Sequence, residues 1–340
     1  MRPTTKDLAK KAGVSLATID RVLNGRPGVK EQTVIKVNEA IESIGFVRNA
    51  QAANLARNKS YRFNFIFPQA GGKFLDELLN RIEETNQSLL TEMTSAQGAK
   101  IAANDPHAVA NYLSSLRKGD VDGVAIMAPE SPQVRDATTR LLERGIQAVQ
   151  FLSGQPKASK TDFVGIDNHA AGATAGSIMG RFLGSKRGKI LVVSETMQSR
   201  DAIERRLGFD EVLSGQFSDF QVLPSLETYG SENRTERVIG QSLENNPDLC
   251  GVYIMSSEAE LPILAIERAV GLRKLVKIAH ERTGFTEYAL RHDRLDAIIA
   301  QNTGHAVRSA IRIMRARCEQ REPFASQETI RIEILLKQNL

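Results

Sequence analysis

The chain has 340 residues, 41% hydrophobic and 25% charged, with a net charge of +5, a composition that fits a soluble globular protein of two or three domains. Its two cysteines, Cys250 and Cys318, stand far apart with no CxxC spacing, which argues against a disulfide framework and fits a reducing compartment. No apolar run reaches the ~18–20 residues that span a bilayer. The charged N-terminus (Lys6, Asp7, Lys10, Lys11) does not read as a signal peptide, so a cytoplasmic protein without a membrane partner is expected.

The charge is unevenly placed. Residues 1–60 carry 11 Lys/Arg against 5 Asp/Glu, and the remainder 34 against 35. A small basic head on a near-neutral body is the footprint of a nucleic-acid-binding module, and a merely solvated basic face would give the same count. The order of residues in the head is more specific. Thr4 and Asp7 have the spacing of an N-cap and its N3 acid. Leu8, Ala9 and Ala12 give a first helix one apolar face, Gly13 allows a sharp reversal, and Ser15 caps a second helix with Ile19, Val22 and Leu23 on its apolar side. This pattern predicts a helix-turn-helix, which lays its second helix in the major groove of duplex DNA.

A third helix is expected from about Lys30 to Ser43, stopped by Gly45. Leu8, Val14, Ile19, Val22, Val34 and Val37 would then form a small core. Asn49 can cap one further short, Ala-rich helix whose single large apolar side chain is Leu55, and a polar linker follows to Ser60. A helix of about eight residues is marginal alone, so this one is expected to fold against DNA or a twin helix.

From Phe63 onward short apolar runs alternate with amphipathic stretches. Strands are predicted at 63–67, 123–127, 148–152, 163–166, 189–194, 251–255, 275–280 and 297–300, with helices between them and a final strand in 330–340. The alternation implies an α/β body of parallel sheets, and its length implies two lobes. The expected organisation is a helix-turn-helix head (1–47), a hinge helix and linker (48–60), and a body (61–340). The body would divide into an N-lobe of about 61–158 and 293–322 and a C-lobe of about 159–292 and 323–340. Ligands of such sheets sit at the carboxyl ends of the strands. No catalytic constellation stands out: the five histidines have no HxxxH or HExxH spacing, and Walker and nucleophile-elbow patterns are absent. No catalytic residue, metal or cofactor is therefore expected.

The run DLAKKAGVSLATIDRVLN (7–24), followed by GFVRNAQAANLA (45–56), resembles the head and hinge of the lactose-repressor (LacI-type) family of transcription regulators. The resemblance places Leu16, Ala17 and Arg21 at base-reading positions and Thr18 and Asn24 at phosphates. It makes Leu55 the hinge leucine that enters the minor groove as one of a pair. Thr4, Ser15, Asp20 and Asn49 complete the expected DNA-contact set. The chemistry agrees: Arg21 can bond guanine O6 and N7 together, and Leu16 and Ala17 would read by apolar contact. Leu16 could instead be a plain exposed helix residue, and Leu55 a small apolar lid on the body. Asp20 stands where the family usually has Ser, and either accepts from cytosine N4 or repels phosphate. Lys30 replaces the usual capping Ser, and Arg48 the usual Pro.

The body resembles the sugar-binding fold of the same family and of periplasmic ribose-binding proteins. The resemblance is carried by GIDNHAAGATAGSIMGRFLG (165–184), Arg205–Phe209 and Ala297–Gln301. It implies a small-molecule effector (a sugar, polyol or sugar derivative) held by Phe74, Leu75, Arg200, Arg205, Ser256, His280, Glu281 and Gln301. Polyol recognition needs bidentate acceptors and Arg or Asn forks around an apolar platform. Leu152 falls where a ligand-binding Asp often stands, which points away from ribose itself. Arg205 could instead form a helix-surface salt bridge, Gln301 a sheet-end cap, and His280 an ordinary buried histidine. The combined expectation is a homodimeric, sequence-specific regulator, a repressor, on a near-palindromic operator. A DNA-binding architectural protein without an effector, and a sugar-handling enzyme fused to a DNA head, are the competing readings.

Overall fold

The computed structural model describes residues 3–23, 27–46, 60–69, 72–89, 92–101, 105–128, 131–154, 161–270 and 274–340. The chain forms two compact units, residues 1–60 and 61–340.

In the first unit three helices enclose a small core: α1 (Thr5–Ala12), α2 (Leu16–Leu23) and α3 (Glu31–Ile44). The Thr4 hydroxyl accepts from the Asp7 N–H while the Asp7 carboxylate accepts from the Thr4 N–H, closing a capping box at the start of α1. Gly13 ends α1 in the left-handed region at φ 66°, where a side chain would be strained. Lys30 precedes α3 without a side-chain cap, as expected of a residue that cannot accept a hydrogen bond. Leu8, Ala9, Ile19, Val37, Ala40 and Phe46 are sealed inside. Phe46 thus closes the head core.

The second unit has two sheets. The first is wholly parallel in the order β2-β1-β3-β4-β5, built from β1 (Tyr61–Pro68), β2 (Thr94–Ile101), β3 (Gly123–Ile126), β4 (Gln147–Phe151) and β5 (Asp162–Val164). Helices α4 (Gly72–Leu89), α5 (Pro106–Ser115) and α6 (Pro132–Glu143) join its strands. In β1 the run from Phe63 to Phe67 is buried on both faces, as central strands of a covered parallel sheet are.

The second sheet runs β12-β11-β10-β9-β6-β7, with β8 paired to β6. Its strands are β6 (Gly188–Ser194), β7 (Phe220–Val222), β8 (Leu226–Glu227), β9 (Leu249–Ile254), β10 (Val276–His280), β11 (Ala297–Gln301) and β12 (Ile332–Leu335). Only β12 is antiparallel. Its helices are α7 (Asn168–Leu183), α8 (Arg200–Gln216), α9 (Glu232–Asn245), α10 (Glu260–Val270) and α11 (Gly284–Arg291). Then α12 (Thr303–Cys318) returns to pack on the first sheet, and the short α13 (Ala325–Glu328) packs on α12.

The lobe boundaries differ from those expected. β5 pairs with β4, and β11 with β10, so 162–164 belongs to the first lobe and 297–301 to the second. The chain crosses at 165–167, at Asn302 and at 329–331. A fully buried strand such as 297–301 carries no mark in its sequence of which sheet it joins, which explains the shift. Among the described residues, no helix is long and apolar enough to cross a membrane.

Close packing of α7 on α8 sets the floor of the second lobe. A Cβ at Gly172 would collide with the Arg205 carbonyl, and one at Gly208 with the His169 carbonyl. Both must be glycine for the two backbones to approach this closely. We expect Gly172→Ala to destabilise the body by roughly 1–3 kcal/mol through overpacking, read as a lower denaturant midpoint with an unchanged m-value.

Candidate functional site

In the head, α2 turns residues 16, 17, 20 and 21 to one side and seals Ile19 on the other. Leu16, 47% exposed, Ala17 and Arg21 lie open on that face. Asp20 and Thr18 are half-buried. The Ser15 hydroxyl accepts from the Thr18 N–H at 3.1 Å and bonds the Thr18 hydroxyl at 3.0 Å, which caps α2. No acidic residue stands in the first turn of α2, so its free N–H groups suit a phosphate. The Thr4 hydroxyl is engaged with Asp7 at 2.7 Å. Asn24, Asn49 and Leu55 lie outside the described residues.

In the body, the second sheet gathers its polar groups at the carboxyl ends of its strands. Arg205, on α8, is 4% exposed. Its Nε donates to Asn168 Oδ1 at 2.9 Å, one terminal nitrogen to the Met255 carbonyl at 2.7 Å, and the other to Glu281 Oε1 at 3.2 Å. Gln301 Nε2 donates to the same Glu281 oxygen at 3.0 Å. Glu281 and Gln301 are 2% and 4% exposed. The remaining oxygens, Glu281 Oε2 and Gln301 Oε1, have no protein partner.

Glu281 sits at φ 64°, unusual for a side-chain-bearing residue. Its N–H donates to the Ile299 carbonyl at 2.9 Å and its carbonyl accepts from the Thr286 hydroxyl at 2.9 Å, so the backbone is held there from both sides. Burial pushes the Glu281 carboxyl up from its usual range, and the Arg205 charge and the Gln301 amide pull it part of the way back.

The other expected effector residues are placed as follows. His280 is buried, with Nε2 bonded to the Tyr253 hydroxyl at 2.6 Å and Nδ1 without a protein partner. Burial, aided by the Arg205 charge, holds its imidazole well below its usual range and hence neutral. Phe74 and Leu75 are buried in the core between α4 and the first sheet. Ser256 donates to the Glu258 carbonyl at 3.2 Å. Arg200 is exposed and pairs with Glu204 at 2.7 Å along α8. The structure thus brings together Arg205, Glu281 and Gln301 and adds Asn168, which the sequence reading missed. The signal was available: Asp167 caps α7 by accepting from the Ala170 N–H, so Asn168 opens a helix beside the strand ends. Among the described residues, no cluster of His, Cys, Asp and Glu has metal-holding geometry.

Residues 4–49 match the family described as bacterial regulatory proteins, lacI family, and residues 63–322 match the periplasmic binding protein domain. The chain belongs, over its body, to the periplasmic binding protein domain family, and it carries a lacI-family helix-turn-helix head. It is a DNA-binding transcriptional regulator with a sugar-binding-type effector domain. It is 28% identical over 264 residues to the HTH-type transcriptional repressor PurR of Klebsiella pneumoniae (strain 342), covering 75% of this chain and 74% of that one. It is 31% identical over 185 residues to catabolite control protein A of Priestia megaterium, covering 45% of this chain and 56% of that protein. The body has the fold of an ABC transporter solute-binding protein from Burkholderia graminis C4D1M, solved in complex with D-arabinose. The TM-score is 0.71 at 20% identity, covering 83% of this chain and 96% of that one.

The lacI-type head depends on its first cap. Thr4→Ala is expected to lower the thermal midpoint of the head by roughly 4–8 °C. The hydrogen bonds from Thr4 depress the Asp7 carboxyl below its ordinary 3.8. The box therefore contributes above the unfolded value and is lost as pH falls through the folded one. In Thr4→Ala that acid-side loss should shrink, as followed by helical circular dichroism against pH.

Proposed function

We propose that the protein is a homodimeric repressor of a near-palindromic operator, released or tightened by a small sugar-like effector held at the strand ends of the second lobe. The observation that carries the effector reading is the pair of buried acceptors, Glu281 Oε2 and Gln301 Oε1, that no protein group satisfies beside the bonded Arg205. A buried acceptor without a donor costs about 1–3 kcal/mol. A ligand hydroxyl is a donor of the right size, and its oxygen can accept from the remaining N–H groups of the guanidinium.

On the DNA side, two copies of α2 would read the two half-sites, with Arg21 bidentate to a guanine and Leu16 and Ala17 against apolar base edges. Leu55, from the sequence reading, would enter the central minor groove with its twin. The effector changes operator affinity only by binding the two states of the protein unequally.

Effector titration tests this reading. A sugar or polyol that raises the melting temperature should also shift operator binding, and Arg205→Met should lower its affinity at least about tenfold, the scale of a lost charge-assisted bond. Failure of every sugar and polyol to move either quantity would sink it. On the operator, Arg21→Ala should relax preference at one base position per half-site, at about 1–3 kcal/mol. A uniform loss over all sequences would make Arg21 a phosphate contact instead. Leu55→Ala should weaken operator binding and reduce bending while effector affinity holds; equal losses in both would remove Leu55 from the hinge role.

A further inference from the structure

The strand ends that hold Arg205 also hold carboxylates that the proposed site has not used. Glu195 directly follows β6, Asp201 lies in the first turn of α8, and Glu258 stands between β9 and α10. The Glu195 side chain is half-buried and its carboxylate makes no hydrogen bond or ion pair with any described residue. Its electrostatic neighbours are Glu258 and Asp201, both of its own sign, and together with burial they push its carboxyl up. Asp201 acts in the same sense on Glu281, so the four carboxylates share one region.

Little positive charge answers them. The Arg205 guanidinium is engaged with Asn168, the Met255 carbonyl and Glu281. Lys73 reaches over from α4, pairs with Glu260 and also acts on Glu258, but not on Glu195 or Asp201. Arg200 pairs with Glu204. Independently of these charges, Glu281 Oε2 and Gln301 Oε1 are buried acceptors that lack a donor. The region therefore offers acceptors and negative charge, and repels an anion.

We propose that the effector is a polyhydroxyl ring bearing a protonated amine, an amino sugar, with its amine at Glu195, Asp201 and Glu258 and its hydroxyls at Glu281 and Gln301. This rests on the reading of these strand ends as the effector site. Charge complementarity supplies the selectivity: an ammonium relieves like-charge repulsion among the carboxylates, whereas a phosphate or uronate adds to it. A neutral sugar meets Glu281 and Gln301 but leaves the Glu195 group unanswered.

The test uses the full-length protein, with calorimetric titration and thermal shift. The probes are D-glucosamine, D-galactosamine and D-mannosamine, each beside its parent hexose, its N-acetyl derivative, its hexose 6-phosphate and its uronate. One amino sugar is expected to bind at least about tenfold tighter than its parent and N-acetyl forms, with the anions weakest. Glu195→Gln should erase that preference, with the unliganded midpoint checking its fold. If that variant is unstable, Asp201→Asn reads the same preference, and a preference kept in the folded variants overturns the assignment. Equal or tighter binding of a neutral or anionic sugar overturns the amine inference and leaves the sugar-effector reading standing. Binding by no probe of any class overturns both.

Discussion

A guanidinium taken out of water must find acceptors within the protein, and Arg205 sets that demand for the whole second lobe. Its partners come from three distant parts of the chain: Asn168 at the start of α7, the Met255 carbonyl past β9, and Glu281 past β10. Leaving a buried charge without its partner costs about 3–5 kcal/mol, so the α7–α8 pair and the strand ends are fixed relative to one another by this one side chain. The glycines at 172 and 208 make the arrangement possible, because any side chain there would push α7 off the backbone that carries Arg205. The result is a floor held in place by the protein's own bonds, and a site organised in that way would lower the entropic cost of recognition.

Backbone strain also falls just past strand ends. Leu152, Tyr229 and Glu281 all have positive φ, and each lies just past a strand end: β4, β8 and β10. Such conformations cost of order 1–3 kcal/mol each and persist where surrounding structure over-determines them. Around Glu281 the determinants are visible as the bonds to Ile299 and Thr286. Tyr229 is held by its N–H, which donates to the Glu195 carbonyl at 2.9 Å, and its ring is faced by Arg234 at 4.8 Å. The turn at Glu281 thus holds its carboxylate beside Arg205 and Gln301 instead of letting the strand run straight on.

Much of this was legible in the sequence. The head could be read because its caps, its Gly13 turn and its apolar spacing are local signals, each within four residues of the next. The buried strands could be read because parallel strands covered on both faces are continuous apolar runs. β2 was not, since Thr94–Ile101 is a polar edge strand that alternates without an apolar core of its own. β7 and β8, three and two residues long, are too short for any period to show. For the site, Arg205, Glu281 and Gln301 followed from resemblance. Asn168 did not, because its place comes from the Arg205 side chain that the fold sets opposite it and not from a motif. Lobe membership was the least legible property of all: β5 and β11 look like any other buried strand until their neighbours are known.

The contact between the lobes shows how little the protein itself decides. Lys73 of α4 pairs with Glu260 of α10 and lies 5.9 Å from the centre of the Phe285 ring on α11. Both ends of the ion pair are substantially exposed. An exposed pair of this kind is worth about 0–1 kcal/mol, and the cation–π contact adds a similar amount at an exposed site. Such contacts can register the lobes against each other but hold them only weakly. A shift of a two-state equilibrium from mostly one form to mostly the other needs about 5 kcal/mol of differential binding. Under the proposed reading that energy would come from the floor, where an effector would satisfy the buried acceptors Glu281 Oε2 and Gln301 Oε1, and not from the lip. The difference follows from burial: the exposed contacts hold the lobes only weakly, whereas the buried ones fix the floor of the second lobe.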